Sequence, residues 1–231
     1  MDIGPRILFE DNHLIAVNKR CGEPVQGDSS GDLPLLEIVR EYIRVRDKKP
    51  GNVFLGLPHR LDRPTSGVVL FAKTDKALSR LAKILKDREI RKIYWAVVDH
   101  LPDAEEGELS HFLWKNRKQN KSFVISAEDA ERRGAKKACL TYRLAAASDS
   151  YYLLEIELQT GRHHQIRAQL GALNCHIKGD LKYGARRANP DGGIHLHARS
   201  LSFIHPVSKV PVNISADPPQ DPLWNYFLQT M

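Results

Sequence analysis

The sequence predicts an α+β fold in which a sheet dominates. Extended apolar runs outnumber amphipathic helical ones, strands and helices do not alternate regularly, and no segment repeats. A doubly wound parallel sheet needs a helix between successive strands, and that rhythm is missing.

From Ile7 to Lys19 two apolar runs flank Asp11-Asn12-His13, which reads as a strand pair around a polar turn. Leu35, Ile38, Val39, Tyr42 and Ile43 then recur at helical spacing, with Asp32 as the expected N-cap and Pro34 in the first turn. Such a helix is expected to cover one end of the sheet. Val68 to Ala72 reads as a buried strand. After it Thr74 is placed to cap a helix whose apolar face is Ala77, Leu78, Leu81, Ala82 and Leu85, with Arg80, Lys83 and Lys86 opposite. Strands are expected at Ile93 to Val98, Ser122 to Ser126, Ala138 to Ala145 and Tyr152 to Gln159. Gly161 breaks the last run, His163 to Leu173 reads as a short helix, Ile194 to Ile204 is extended, and Trp224 to Leu228 forms a small helix. The stretches Asp99 to Glu108 and Glu128 to Lys137 are expected as surface insertions within one domain spanning residues 1–231.

With 42% apolar residues among 231, the chain can bury an ordinary core. Its longest apolar runs fall far short of a membrane span, and Met1 to Arg6 lacks the pattern of a secretory signal. A cytoplasmic protein without membrane association is expected. Cys21, Cys139 and Cys175 are widely spaced and odd in number, which points to reduced, mostly buried thiols and not to disulfides or thiolate metal sites.

The net charge of +7 and pI near 9.3 favour a polyanionic partner. The distribution says more than the sum. Lys73 to Lys92 holds eight basic and three acidic residues, Lys115 to Lys121 four basic ones, and Arg162 to Arg187 six basic against one acid, whereas Asp2 to Asp47 carries nine acids. A solvated helix face would explain any single cluster. Clusters that flank the chemical motifs favour a surface that tracks phosphates.

Those motifs centre on His59-Arg60-Leu61-Asp62-Arg63-Pro64-Thr65-Ser66-Gly67. One carboxylate stands between two arginines, an arrangement that favours its charged form, and an anionic Asp can serve as base or nucleophile. The plainer reading is a surface ion pair ahead of a turn in which Pro fixes φ, the hydroxyls bond nearby backbone and Gly takes a positive φ. The whole segment, however, resembles the signature H-R-L-D-x-x-T-S-G of the RluA-type pseudouridine synthases at every fixed position. Arg91-Lys92-Ile93-Tyr94-Trp95-Ala96, Leu158 to Arg167, Gly179-Asp180-Leu181-Lys182-Tyr183-Gly184 and Leu196-His197-Ala198-Arg199 with His205-Pro206 are similar to further blocks of that family, in its order.

The resemblance implies a mixed, mostly antiparallel central sheet with flanking helices and a catalytic cleft, and isomerisation of uridine within RNA to pseudouridine. The N1–C1′ bond breaks, the uracil turns while held, C5 bonds to C1′ and the C5 hydrogen leaves. No metal and no nucleotide cofactor is implied, and a monomer acting on structured ribosomal or transfer RNA is expected. The catalytic pattern starts too early for an N-terminal RNA-binding module of the S4 type. By resemblance Asp62 is the catalytic aspartate, Arg167 the basic residue that pairs with it, and Tyr94 the ring that packs on the target uracil. Arg60 matches a residue that enters the space of the flipped nucleotide, and Thr65, Ser66 and Gly67 are expected to shape the loop that aims Asp62. With these, Lys92, Arg162 and Gln165 complete the expected substrate-binding set. Many members carry a hydroxyl residue where His163 stands, so its role is open. His163, His164, His176, His195, His197 and His205 invite a metal reading, and on a strand His195 and His197 share a face; zinc needs three or four converging ligands with matched second shells, and the resemblance implies that His197 belongs to a structural Leu-His-Ala segment. Two other function classes compete. A catalytically idle RNA-binding protein would not need to keep Asp62, Tyr94 and Arg167 together, and a hydrolytic glycosidase would need a second carboxylate that no motif supplies.

Overall fold

The computed structural model describes residues 3–28 and 30–231. The chain divides into two compact units, one made of Met1–Arg91 with Ala198–Pro219 and the other of Lys92–His197 with Gln220–Met231. In chain order the elements are β1 (Ile7–Glu10), β2 (Leu14–Lys19), α1 (Leu35–Arg46), β3 (Ser66–Ala72), α2 (Asp75–Lys86), β4 (Arg91–Val98), β5 (Glu106–Asn116) and β6 (Lys121–Ile125). They continue with α3 (Ala127–Arg133), β7 (Lys136–Ala147), β8 (Tyr152–Leu158), α4 (Gln165–Ala172), β9 (Leu196–Ile204), β10 (Pro211–Ser215) and α5 (Pro222–Thr230). The α+β class is as expected.

In the first unit the strands neighbour one another in the order β1-β2-β3-β9-β10, and the pairs β1–β2, β2–β3 and β9–β10 are antiparallel. Asp11 makes the first turn, its Oδ1 accepting from the amides of His13 and Leu14 at 2.7 Å each. Leu14 to Val17 and Val68 to Ala72 have no exposed surface, which is why both read as unbroken apolar runs. One face, with Leu14, Ala16, Val68 and Leu70, is covered by Ala77 and Leu81 of α2. Thr74 caps that helix as expected, Oγ1 accepting from the Ala77 amide at 3.2 Å. The expected cap of α1 is not made. Pro34 occupies the N-cap position without a side-chain bond, and Asp32, two residues upstream, pairs with Arg63 instead.

In the second unit the order is β4-β8-β7-β5-β6, and the pairs β4–β8, β7–β8, β5–β7 and β5–β6 are antiparallel. β4 is covered on both faces. Ala96 and Val98 pack with Leu154, Ile156, Ile166 and Leu170, and Tyr94 joins that layer, whereas Ile93, Trp95 and Val97 pack against Trp224 and Phe227 of α5. The two expected insertions are largely regular structure. β5 begins at Glu106, and α3 occupies Ala127–Arg133, capped by Ser126, whose Oγ accepts from the Asp129 amide at 3.2 Å, and ended by Gly134 at φ 63°. They escaped notice because β5 is half solvated and α3 has only Ala130 buried. β10 is a further strand absent from the sequence reading, only five residues long with two of them buried.

None of the three cysteines is in a disulfide; Cys175 is buried, and Cys21 and Cys139 are only half-buried, against the expectation. Burial raises the Cys175 thiol pKa to about 11. Among the described residues no helix is long and apolar enough to cross a membrane.

Candidate active site

Asp62 lies in the loop that enters β3, half-buried between the buried Leu61 and the buried Thr65 and Ser66. Thr65 N donates to Asp62 O at 3.0 Å, closing a turn directly after the acid. The main support of this loop is Lys19, at the end of β2. Its side chain is 1% exposed, and Nζ donates to three carbonyl oxygens, those of Arg20 and Arg63 at 2.9 Å and of Thr65 at 2.6 Å. Three N–H bonds for three carbonyls satisfy an ammonium completely. Burial lowers its pKa to about 8, opposed by Cys21, Glu23 and Asp62 and reinforced by Arg6. Gly22 N adds a bond to Arg63 O at 2.9 Å.

The arginines beside Asp62 behave differently from the sequence picture. Arg63 turns outward to Asp32 and, at 3.5 Å, to Asp28, so it is not the fixed neighbour of the acid. Arg60 is exposed. His59 Nε2 accepts from the Leu70 amide at 3.1 Å, which makes that ring nitrogen the unprotonated one and fastens the loop to β3. Gly67 has φ 112°, and a Cβ there would lie 2.3 Å from the carbonyl oxygen of Ala198. The hydroxyls do not both serve the backbone: Thr65 Oγ1 is buried without a hydrogen-bond partner among the described residues.

The second unit carries the remaining expected residues. Tyr94 on β4, half-buried, packs in the layer that also holds Ile166 and Leu170 of α4, the helix of Arg167. Lys92 Nζ comes near Gly161, 3.9 Å from where a Cβ would be. Arg162 is exposed, with Nε donating to Lys137 O at 3.0 Å. Gln165 is 3% exposed, and its amide is taken up by the protein. Oε1 accepts from Thr160 Oγ1 at 2.8 Å and Arg162 N at 3.0 Å, and Nε2 donates to Cys139 O at 3.0 Å. Its bonds hold the turn that starts α4. Arg167 is 5% exposed and makes a two-point pair with Asp180, Nε to Oδ2 at 2.6 Å and Nη2 to Oδ1 at 2.8 Å. The sequence does not reveal this partnership, although Asp180 stands in the block Gly179 to Gly184.

The histidines are held by protein groups. His163 stacks on His164 with ring centres 3.8 Å apart, Nδ1 lying 2.9 Å from Ser122 Oγ and Nε2 3.1 Å from Asn120 Oδ1. His195 receives a bond from Asn189 Nδ2 on Nδ1, gives one to Asp221 from Nε2 and stacks on Trp224; burial lowers its pKa, with Asp221 opposing. Among the described residues one group, Asp99, His100 and His176, brings possible metal ligands within 4.8 Å of one another. Each imidazole Nδ1 faces its own Asp99 oxygen, at 3.0 and 3.1 Å, and His100 is 64% exposed, so protons alone satisfy the arrangement.

Comparison with known proteins bears on the whole chain. Residues 13–172 match the family model described as RNA pseudouridylate synthase. The ribosomal large subunit pseudouridine synthase D of Zymomonas mobilis is 32% identical over 230 residues, covering 95% of this chain and 71% of that protein. Ribosomal large subunit pseudouridine synthase C of Buchnera aphidicola (Schizaphis graminum) is 32% identical over 234 residues, 97% of this chain and 70% of that one. Among solved structures, human RNA pseudouridylate synthase domain containing 4 superposes with a TM-score of 0.78 at 24% identity, covering 98% of this chain and 93% of that one, a likeness of fold.

Proposed function

This chain belongs to the RNA pseudouridylate synthase family, which isomerises uridine in RNA to pseudouridine, and from that premise we propose that Asp62 is its catalytic carboxylate. The observation that carries the assignment is the construction of the Asp62 loop. A buried ammonium binds two of its carbonyls, a positive-φ glycine seats it against β9, and a half-exposed acid stands among buried neighbours. Much structure is devoted to aiming one carboxylate.

Tyr94 supplies a ring for the target uracil, since stacking holds a base yet lets it turn. Arg167 supplies a permanent cation for the reacting nucleotide. Arg60, Lys92 and Arg162 contact RNA. Thr65, Ser66, Gly67 and Gln165 serve the same substrate indirectly, by shaping the loop and the turn, in keeping with their burial. Both units together make up the catalytic domain, which acts as a cytoplasmic monomer without a cofactor. The substrate is structured RNA, with large-subunit ribosomal RNA first in line because the relatives above are named for it.

Bonding of C5 to C1′ expels the hydrogen at C5, so tritium release from uridine-5-tritiated RNA reads the reaction directly. Wild-type protein should release tritium from ribosomal RNA, and Asp62→Asn should release none while its RNA affinity stays within a fewfold. Turnover by the variant would remove Asp62 from the mechanism. No release by wild type on ribosomal and transfer RNA would favour an idle RNA-binding protein.

A further inference from the structure

Arg167 and Asp180 form a pair that is buried at both ends, the side chains 5% and 1% exposed. Their two parallel hydrogen bonds fix the plane of the guanidinium. A second contact comes from the same segment: the ring of Tyr183, in the 3-10 turn Leu181–Tyr183, lies 5.1 Å from the guanidinium carbon. The ring is itself fixed. Tyr183 Oη accepts from the Ser122 amide at 2.9 Å and lies 2.9 Å from His164 Nδ1.

The Tyr183 hydroxyl thus accepts from the Ser122 amide and shares a second hydrogen bond with His164 Nδ1. Burial, with Arg167, His163, Lys182 and Lys115 adding repulsion, keeps His164 neutral, its pKa lowered to about 2. His164 is the N-cap residue of α4, at φ 52°, three positions before Arg167. Gly171 lets the helix lie on the turn, because a Cβ there would come 3.1 Å from Tyr183 O. Thus one short turn provides two groups that grip Arg167, and its tyrosine hydroxyl is tied to the start of the helix from which Arg167 projects.

We propose that Asp180 and Tyr183 are positioning residues for uridine isomerisation, setting the plane and direction of the Arg167 guanidinium. The proposal rests on the reading of Arg167 as a participant in the reaction. A buried ion pair is weak as a source of stability compared with apolar packing. What the two-point pair and the ring do provide is a long side chain with its torsions fixed in advance, which leaves little ordering to be done at the transition state.

Single-turnover rates and RNA affinities of Arg167→Gln, Asp180→Asn and Tyr183→Phe, alone and combined, test this. Asp180→Asn and Tyr183→Phe should each slow the single turnover by about tenfold to a hundredfold with affinity nearly unchanged. Added to Arg167→Gln, neither should slow it further, since groups acting through one residue are not additive. Undiminished slowing in the Arg167→Gln background, or wild-type rates in the folded single variants, would overturn the proposal. Wild-type turnover by Arg167→Gln alone would instead remove Arg167 from the reaction and the proposal with it. Asp180→Asn leaves a buried guanidinium short of its counter-charge; should it fail to fold, Tyr183→Phe, which keeps the ring and loses only the hydroxyl, decides between these outcomes.

Discussion

Lys19 and Gly67 do opposite things to one loop, the first pulling its carbonyls inward and the second letting it lie against β9. Lys19→Met should destabilise the fold by about 2–4 kcal/mol, because buried carbonyls lose their donor while the cost of burying a cation disappears. Urea unfolding at unchanged slope would show it. The same ammonium predicts a pH response. Below about pH 8 it has three protons for three acceptors, and above that it turns a lone pair toward one of them. Isomerisation should therefore decline as pH rises through about 8, in a limb that Lys19→Met lacks. The folded-state pKa lies below the free value of 10.5, so between about 8 and 10.5 the unfolded chain binds more protons and this titration raises stability with pH. Activity should fall there without unfolding, which a thermal melt at each pH checks. Gly67→Ala would force a methyl to within 2.3 Å of a carbonyl at a strained φ, and a loss beyond about 4 kcal/mol, seen as a collapsed yield of folded protein, is expected. Of these residues only Gly67 was legible beforehand. A lysine that ends a strand looks like any surface lysine, and its burial depends on carbonyls 44 and 46 residues away.

Elements with two-sided or strongly one-sided apolar faces announced themselves. β2, β3 and β4 are covered from both faces, and α2 shows its cap and, apart from the exposed Ala82, the expected stripe. Thr74→Ala should cost about 1 kcal/mol and lower the melting temperature by about 2–4 °C, a shift that calorimetry resolves. Asp32→Ala should leave α1 helicity unchanged by circular dichroism, since it does not cap that helix. β5 was illegible for a physical reason. Its exposed positions carry Glu106, Glu108, Ser110 and Lys115, and what makes it a strand is pairing with both β6 and β7, which single-sequence periodicity does not register.

For the molecule as a whole, charge was the most readable property. The exposed basic side chains at Lys76, Lys83 and Lys86 on α2, and at Lys115, Arg117 and Lys118 around the β5–β6 turn, lie where the clusters were expected. RNA affinity should fall by about a hundredfold or more between about 50 and 200 mM salt, measured by filter binding; a flat response would remove the phosphate-tracking role. The division into two units was not legible, because each is assembled from segments far apart in the chain. That interleaving governs the order of events during synthesis. The first unit waits for residues 198–219 and the second for residues 220–231, so Trp95 and Val97 have no α5 to cover them until translation has passed Phe227. A ribosome making this protein carries two unfinished cores until residues 198–227 have been made, and both β2 and β4 keep an apolar face uncovered over that interval.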